Sequence, residues 1–385
     1  MSAWKRGLFA AITAGLVIMA AELIFFVGGK VLQSKWAMWS VPSPPANASE
    51  DLTYDQYMQR RDPVLGWPYP REYGQNLDVN GAQPNPYFPD GPKGSSCVSL
   101  YGDSFTKGGD VSGPAKTWGN LLSNQLNCYV ANFGIGGYGT DQAYLRFVKN
   151  ETDPSPMVVF GVHTGDTLRN LTRLRDLENY AMWYSLKPRF IVDQQGKLEL
   201  IPIPDLTEAE YRRVLTLEGD QLILDHESLH PGGPSGAIKL EFPYTVAVVR
   251  NALSFYGFRS RLFRYPEWTE FLQPEHPLGG LEIMVGISRD FVELAQQRGK
   301  DALIVILPHP EDFTYHEKHG EWPYRHVVEG YERLELPFAD FGPYLLAQAK
   351  AEDSPLSAFF GPTDHYNDRG NAHAAAFVHD QLSKD

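Results

Sequence analysis

Four short β-rich runs, each ended by a polar or glycine-rich loop and spaced by helical patterns, restrict this chain to few architectures. The runs are Cys97 to Tyr101, Cys128 to Phe133, Met157 to Val162 and Ala302 to Leu307, and their loops read GDSFT, GIGGYG, HTGD and PHPED. Between them, Trp118, Leu121, Leu122 and Leu126 share one helical face, as do Ile287, Phe291 and Leu294. Thr140 opens the segment TDQAYLRFVKN as an N-cap, with Asp141 near the positive end of the helix dipole. Strands alternating with amphipathic helices predict a parallel sheet covered on both faces, with ligands at the strands' carboxyl ends. The span from about Leu171 to Gly280 lacks this rhythm and reads as an insertion over the site or as an edge subdomain.

Ahead of the sheet, Gly7 to Gly29 is apolar except for Glu22. At ~1.5 Å per residue such a helix crosses the ~30 Å of a bilayer's hydrocarbon. Residues 7–29 are therefore read as a transmembrane anchor after a short tail, 1–6, with 30–50 as a Pro/Ser-rich linker and 51–385 as the folded body. The competing reading is a cleaved signal peptide, whose apolar region usually runs only ~7–15 residues. No convincing small-x-small cleavage site precedes Lys30. Lys5 and Arg6 on one side balance Lys30 and Lys35 on the other, so the positive-inside rule barely sets orientation. Glu22 marks a partner helix or a functional site in the membrane, or it sits protonated or snorkels to the interface. The 47 Asp and Glu against 34 Lys and Arg, a formal charge of -13, argue against nucleic acid as a partner. With 43% hydrophobic and 21% charged residues, most of the chain folds. Cys97 and Cys128 are the only cysteines, which excludes a four-thiolate zinc site and leaves a single disulfide or two thiols.

The chemistry concentrates in two places. Ser104 follows an apolar strand on a Gly102-Asp103 turn, where its hydroxyl meets the open edge of the sheet beside backbone N–H groups, as a nucleophile and an oxyanion require. The alternative is a serine that merely completes a tight turn. His365 lies in the loop GPTDHYNDRGN just before a final helical segment, with carboxylates nearby, and could act as the base for Ser104.

GDSFT, NFGIGGYGTDQ and DHYNDRGN, in this order, resemble the SGNH/GDSL hydrolase superfamily from about Asp51 to the C-terminus, and DPVLGW at Asp62 to Trp67 is similar to the lead-in of its envelope-polysaccharide members. The resemblance implies a three-layer, flavodoxin-like α/β fold around a central parallel sheet. It implies Ser104 as nucleophile, the N–H groups of Ser104 and Gly137 as oxyanion donors, and His365 as base. It requires no metal or cofactor. The chain departs from the pattern twice. The family's acid precedes the histidine by two or three residues, but Thr363 and Pro362 stand there, leaving Asp364 to orient His365 and Asp368 as a fallback. Where the family carries an oxyanion-donating Asn, this chain has Gly165 or Asp166, and an ionised Asp166 would repel an oxyanion unless it is protonated or another donor such as His163 substitutes. In this fold Cys97 and Cys128 open neighbouring strands, so a bridge would lie at the closed edge and suit a periplasmic or extracellular body.

His309, Glu311, Asp312 and His316 match no metal-ligand template. Arg169, Arg173 and Arg175 read as contacts to an anionic glycan or as a solvated helix face. The expectation is a membrane-anchored serine esterase or O-acyltransferase acting on acyl, mainly O-acetyl, esters of an envelope or exported polysaccharide. Its partners would be a carbohydrate ester, the membrane through the N-terminal helix, and a membrane protein beside that helix. The alternative is a catalytically weak, glycan-binding scaffold of a membrane polysaccharide assembly.

Overall fold

Side-chain alternation on the strands builds two apolar cores, one on each face of a sheet. In this computed structural model, which describes residues 2–36, 54–66, 77, 81–92, 96–175, 186–210, 225–230 and 233–383, the first strands are Val98–Tyr101 (β1), Val130–Asn132 (β2) and Met157–His163 (β3). Tyr101, Ala131, Val158 and Phe160 join one cluster, while Val98, Leu100, Val130 and Val159 join the other. Arg189–Val192 (β4) and Leu198–Ile201 (β5) pair antiparallel as a separate hairpin. Asp301–Leu307 (β6) and Phe338–Asp340 (β7) complete a five-stranded sheet in the order β2-β1-β3-β6-β7, parallel throughout. The doubly wound α/β order expected from the sequence is thus present, with one strand more than the four runs announced. Between β1 and β3 the strand order reverses, and such switch points open the crevice where ligands bind.

Helices cover both faces. Thr140–Lys149 and Gly280–Gln297 bury Phe147, Ile287 and Phe291 on one side, and Trp118–Leu126, Phe341–Ala351 and Asp368–Leu382 bury Trp118, Leu345 and Ala375 on the other. The N-cap of the first of these is Gly139, not Thr140, which is already the first helical residue.

The insertion packs on the first face and also reaches the open edge. The buried side chains of Lys187 and Asp141 pair, tying the hairpin to the Thr140–Lys149 helix. Trp268 donates its indole N–H to Asp312 (3.0 Å) beside β6's loop. Of the lead-in DPVLGW, Asp62 accepts from the Val64 and Leu65 N–H groups and from Lys149, and Trp67 lies outside the described residues. Cys97 and Cys128 are joined by a disulfide at the amino ends of β1 and β2. The N-terminal helix runs Ala3–Trp36, so it extends beyond 7–29 at both ends, and residues 30–36 are helix rather than linker. The rest of the proposed linker, 37–50, lies outside the described residues. This helix is long and apolar enough to cross a membrane.

Candidate active site

The turn after β1 places Ser104. Asp103 caps the short helix Ser104–Lys107, its carboxylate accepting from the N–H groups of Phe105 (2.8 Å) and Thr106 (3.4 Å), which lifts Ser104 to the sheet edge at the helix start. The loop after β2 passes beside it, and a Cβ on Gly136 would come within 4.0 Å of the Ser104 Cβ. Gly137 follows with φ +84°, a left-handed conformation suited to glycine.

The C-terminal loop brings the histidine 261 residues further on to the same point. Ser104 Oγ lies 2.7 Å from His365 Nε2. The other ring nitrogen, Nδ1, is 2.8 Å from the Thr363 carbonyl oxygen and 2.9 Å from the Thr363 hydroxyl. A carbonyl only accepts, so Nδ1 carries the proton and Nε2 presents its lone pair to the serine hydroxyl. Ser104 Oγ is also 3.4 Å from Asp103 Oδ2, a contact too long to compete. Phe105 packs on His365 with ring centroids 4.8 Å apart. Close approach of the imidazole requires a glycine at 109, because a Cβ there would lie 2.7 to 2.9 Å from His365 Cγ, Cβ and Cδ2.

The carboxylate behind this histidine comes from a different loop than the sequence indicated. Among the described residues no hydrogen bond joins Asp364 to the ring; Asp364 turns at φ +62° and is exposed. Asp368 is occupied by the N–H (2.7 Å) and hydroxyl (2.5 Å) of Ser112. Asp110 instead accepts from the Thr363 hydroxyl (2.7 Å), the Thr363 N–H (2.9 Å) and the His365 N–H (3.2 Å), and its Oδ2 lies 4.0 Å from Nδ1. Burial opposes ionisation of Asp110, but these hydrogen bonds and the facing imidazole hold its carboxyl below the ordinary value. Thr363 therefore lies between Asp110 and the ring, its carbonyl accepting from Nδ1 while its hydroxyl donates to Asp110. The signal for Asp110 in the sequence was its place in the GGD turn just after GDSFT.

No family model matches the chain, and no curated protein matches it. The chain resembles solved G-D-S-L proteins. A putative lipolytic protein of the G-D-S-L family from Desulfitobacterium hafniense is 13% identical with a TM-score of 0.36, covering 75% of this chain and 100% of that one. A member of the lipolytic G-D-S-L family from Veillonella parvula is 12% identical with a TM-score of 0.39, covering 76% and 100%. A two-domain esterase active on acetylated mannans is 11% identical with a TM-score of 0.33, covering 75% of this chain and 48% of that one. Likenesses of this size transfer no site and no substrate; the chemistry rests on this chain's own geometry.

Around the pair, the other singled-out residues divide differently than expected. Asp166 is fully buried, its Oδ1 bonded to Arg169 (2.7 Å) and its Oδ2 without a hydrogen-bond partner among the described residues. Burial first, and then the charge of Asp103, push its carboxyl well above the usual range. Arg169 also bonds Asp103 (3.0 Å) and the Tyr138 carbonyl (2.9 Å), so it sits among the acids beside Ser104 rather than on a solvated helix face or turned to an anionic glycan. Arg173 and Arg175 are buried, and Arg173 bonds the Pro202 carbonyl (2.7 Å). His163 is buried against Phe105, and burial holds it well below its ordinary value, so it is a neutral packing residue with Nδ1 2.9 Å from the Leu307 carbonyl. The four residues weighed as metal ligands form no cluster that could hold a metal, among the described residues. Asp312 is instead a buried anchor for Thr164 (2.6 Å), Trp268 (3.0 Å) and the His309 N–H (2.8 Å), and burial pushes it up to about 7.

Proposed function

We propose that this chain is a membrane-anchored serine esterase or O-acyltransferase that cleaves acyl, mainly O-acetyl, esters of an envelope or exported polysaccharide. The carrying observation is the 2.7 Å approach of Ser104 Oγ to His365 Nε2, with Nδ1 turned onto the Thr363 carbonyl. In this reading Ser104 attacks the ester carbonyl while His365 Nε2 takes its proton. The imidazolium keeps its Nδ1–H on Thr363 and faces the Asp110 carboxylate. The oxyanion is met by the N–H groups of Ser104 and Gly137, and the burial that favours the protonated form of Asp166 lessens the charge against it. The alkoxide leaves with the proton from Nε2, giving an acyl-serine. Water or a sugar hydroxyl then attacks the acyl-serine, its proton passing to Nε2, and Ser104 departs with that proton.

Two features support the substrate class. A cleft of about 790 Å³ is lined by Tyr265, Tyr315, Arg264 and Lys318, with buried Trp268 at its floor 5.1 Å from His309, and its partly exposed tyrosines suit sugar rings. The disulfide and the N-terminal helix suit a body held at a membrane on its oxidising side. The test is labelling by a fluorophosphonate probe together with p-nitrophenyl acetate turnover by the full chain. Ser104→Ala is expected to abolish both while circular dichroism stays unchanged. A folded wild type that neither labels nor turns over overturns the enzyme reading in favour of the glycan-binding scaffold.

A further inference from the structure

The helix Tyr244–Ser254 in the insertion packs on the N-terminal helix, and Glu22 makes the joint. Its carboxylate accepts from the N–H of Tyr244 (2.6 Å) and of Thr245 (3.4 Å), two of the orphan donors in the first turn of that helix. Phe26 and Tyr244 pack with ring centroids 4.9 Å apart, and Leu240 lies against Gly29. This contact accounts for the single acidic residue in the apolar run. It also ties the helix to the folded body. Counted from Gly7, Glu22 is roughly 22 Å along the helix, about 8 Å short of the far side of a ~30 Å hydrocarbon layer, within the ~5–10 Å depth to which interfacial amphipathic helices bury their apolar face. The insertion helix therefore sits at the level where hydrocarbon gives way to headgroups.

The outward side of this region is apolar. Ala247 and Asn251 are buried and Val248 and Ala252 pack toward the core, yet Phe242, Val246, Val249 and Leu253, with Leu262 and Phe263 from the next helix, Tyr256–Phe263, are between 45% and 77% exposed. A water-facing helix stripe would carry polar residues at these positions. In a chain of net charge -13, Tyr244 to Arg264 contains four arginines and no Asp or Glu. Arg259 and Arg261 pair with Glu270 and Glu267, while Arg250 and Arg264 have no ion pair among the described residues. Apolar side chains rimmed by cations fit the acyl-headgroup boundary of an anionic bilayer.

We propose that the helices Tyr244–Ser254 and Tyr256–Phe263 form a lipid-seated foot, lying in the headgroup layer of the same membrane that the N-terminal helix crosses. The foot, which rests on the anchor reading, is continuous with the Glu22 joint, and lipid covers its apolar face. It fixes the body against the membrane instead of leaving it on a free tether.

The full chain, in vesicles of phosphatidylcholine and phosphatidylglycerol, tests it. Because Cys97 and Cys128 are joined, one introduced cysteine is the only free thiol and takes a fluorophore. Probes go at Leu253→Cys, at Val17→Cys in the anchor and at exposed Leu334→Cys on the body. With nitroxide-bearing lipids, the probes at 253 and 17 are expected to lose more than about half their emission, and the probe at 334 to lose little. Quenching at 17 but not at 253 overturns the foot and leaves the anchor standing. A probe at 253 shielded from aqueous iodide yet untouched by lipid nitroxides puts a second copy or another protein on the patch and equally overturns it. No quenching at 17 removes the anchor, and the foot with it.

Discussion

At the amino ends of β1 and β3, polar groups are consumed by the fold, whereas at the carboxyl ends of the same strands they are held within reach of solvent. Asp153, buried at the closed end, accepts from Ser99 (2.8 Å), Tyr101 (2.8 Å) and the Ser155 N–H (3.0 Å), and Lys300 caps the carbonyls of Asp153 (2.7 Å) and Ser155 (2.5 Å). The disulfide closes that edge. At the open end the half-buried Ser104 and His365 face each other across loops held by Asp110 and Asp368. One end is saturated so that the other can keep a nucleophile and a lone pair aligned without satisfying them fully. Substitutions should accordingly separate into those that change rate and those that change stability.

After the loss of Ser104 itself, the largest effect is expected at Gly109→Ala. The added methyl would collide with the imidazole and turn it off Ser104, so ester turnover should fall by about 10²-fold or more with little change in secondary structure, because a misplacement of ~1 Å already costs about 10²-fold. Turnover within a few-fold of wild type would mean that the Ser104–His365 approach does not govern the reaction.

The closed end should respond in the opposite way. Replacing Cys97 and Cys128 together by serine opens a loop with a sequence separation of 31 residues, which on loop entropy alone costs roughly 3–4 kcal/mol. A lower denaturation midpoint with kcat unchanged at a temperature where the variant is folded is the expected result. A matching loss of kcat would erase the distinction between the two ends.

Much of this contrast is legible in the sequence, and the reasons for the rest are physical. Apolar runs ending in GDSFT or HTGD announce strands and their loops because burial on both faces demands continuous hydrophobicity. β7 escapes because three residues, Phe338–Asp340, carry too little pattern. His365 is visible through its place before a helix, but its carboxylate is not. Asp110 lies 255 residues away from it and is brought there only by the folding of two loops. Adjacency favoured Asp364, yet its backbone turns at φ +62°, and the Thr363 carbonyl and hydroxyl take Nδ1 instead. Glu22 was recognisable as anomalous, but its partner, the first turn of Tyr244–Ser254, is a tertiary fact.

A smaller effect sharpens the assignment at the open end. Asp110→Asn keeps the shape but removes the charge facing the imidazolium, and because the Thr363 carbonyl still fixes the tautomer, a loss of kcat of about 10-fold to 10²-fold is expected, well short of the ~10⁴-fold seen when a triad's orienting group is lost outright. Asp364→Asn should leave kcat unchanged. Asn is tolerated at the positive φ of both positions, so neither variant strains the backbone. The reverse ranking would return the acid to the loop of the histidine itself.

The smallest effect, and the most discriminating for the buried charge beneath Ser104, concerns Asp166→Asn. A carboxyl whose folded pKa is raised binds its proton more tightly in the native state than in the unfolded chain, so its stabilising contribution is complete below the unfolded value near 3.8 and is lost as pH rises through the folded value. The amide, which mimics the protonated acid and never ionises, has no such loss. Wild type and variant should therefore have similar denaturant midpoints near pH 4, and the variant should pull ahead as pH rises to 8, with little change in activity at pH 7. Were Asp166 instead an ionised partner of Arg169, the same substitution would destabilise at neutral pH. The ion pair with Arg169 would then outweigh the burial that raises this carboxyl.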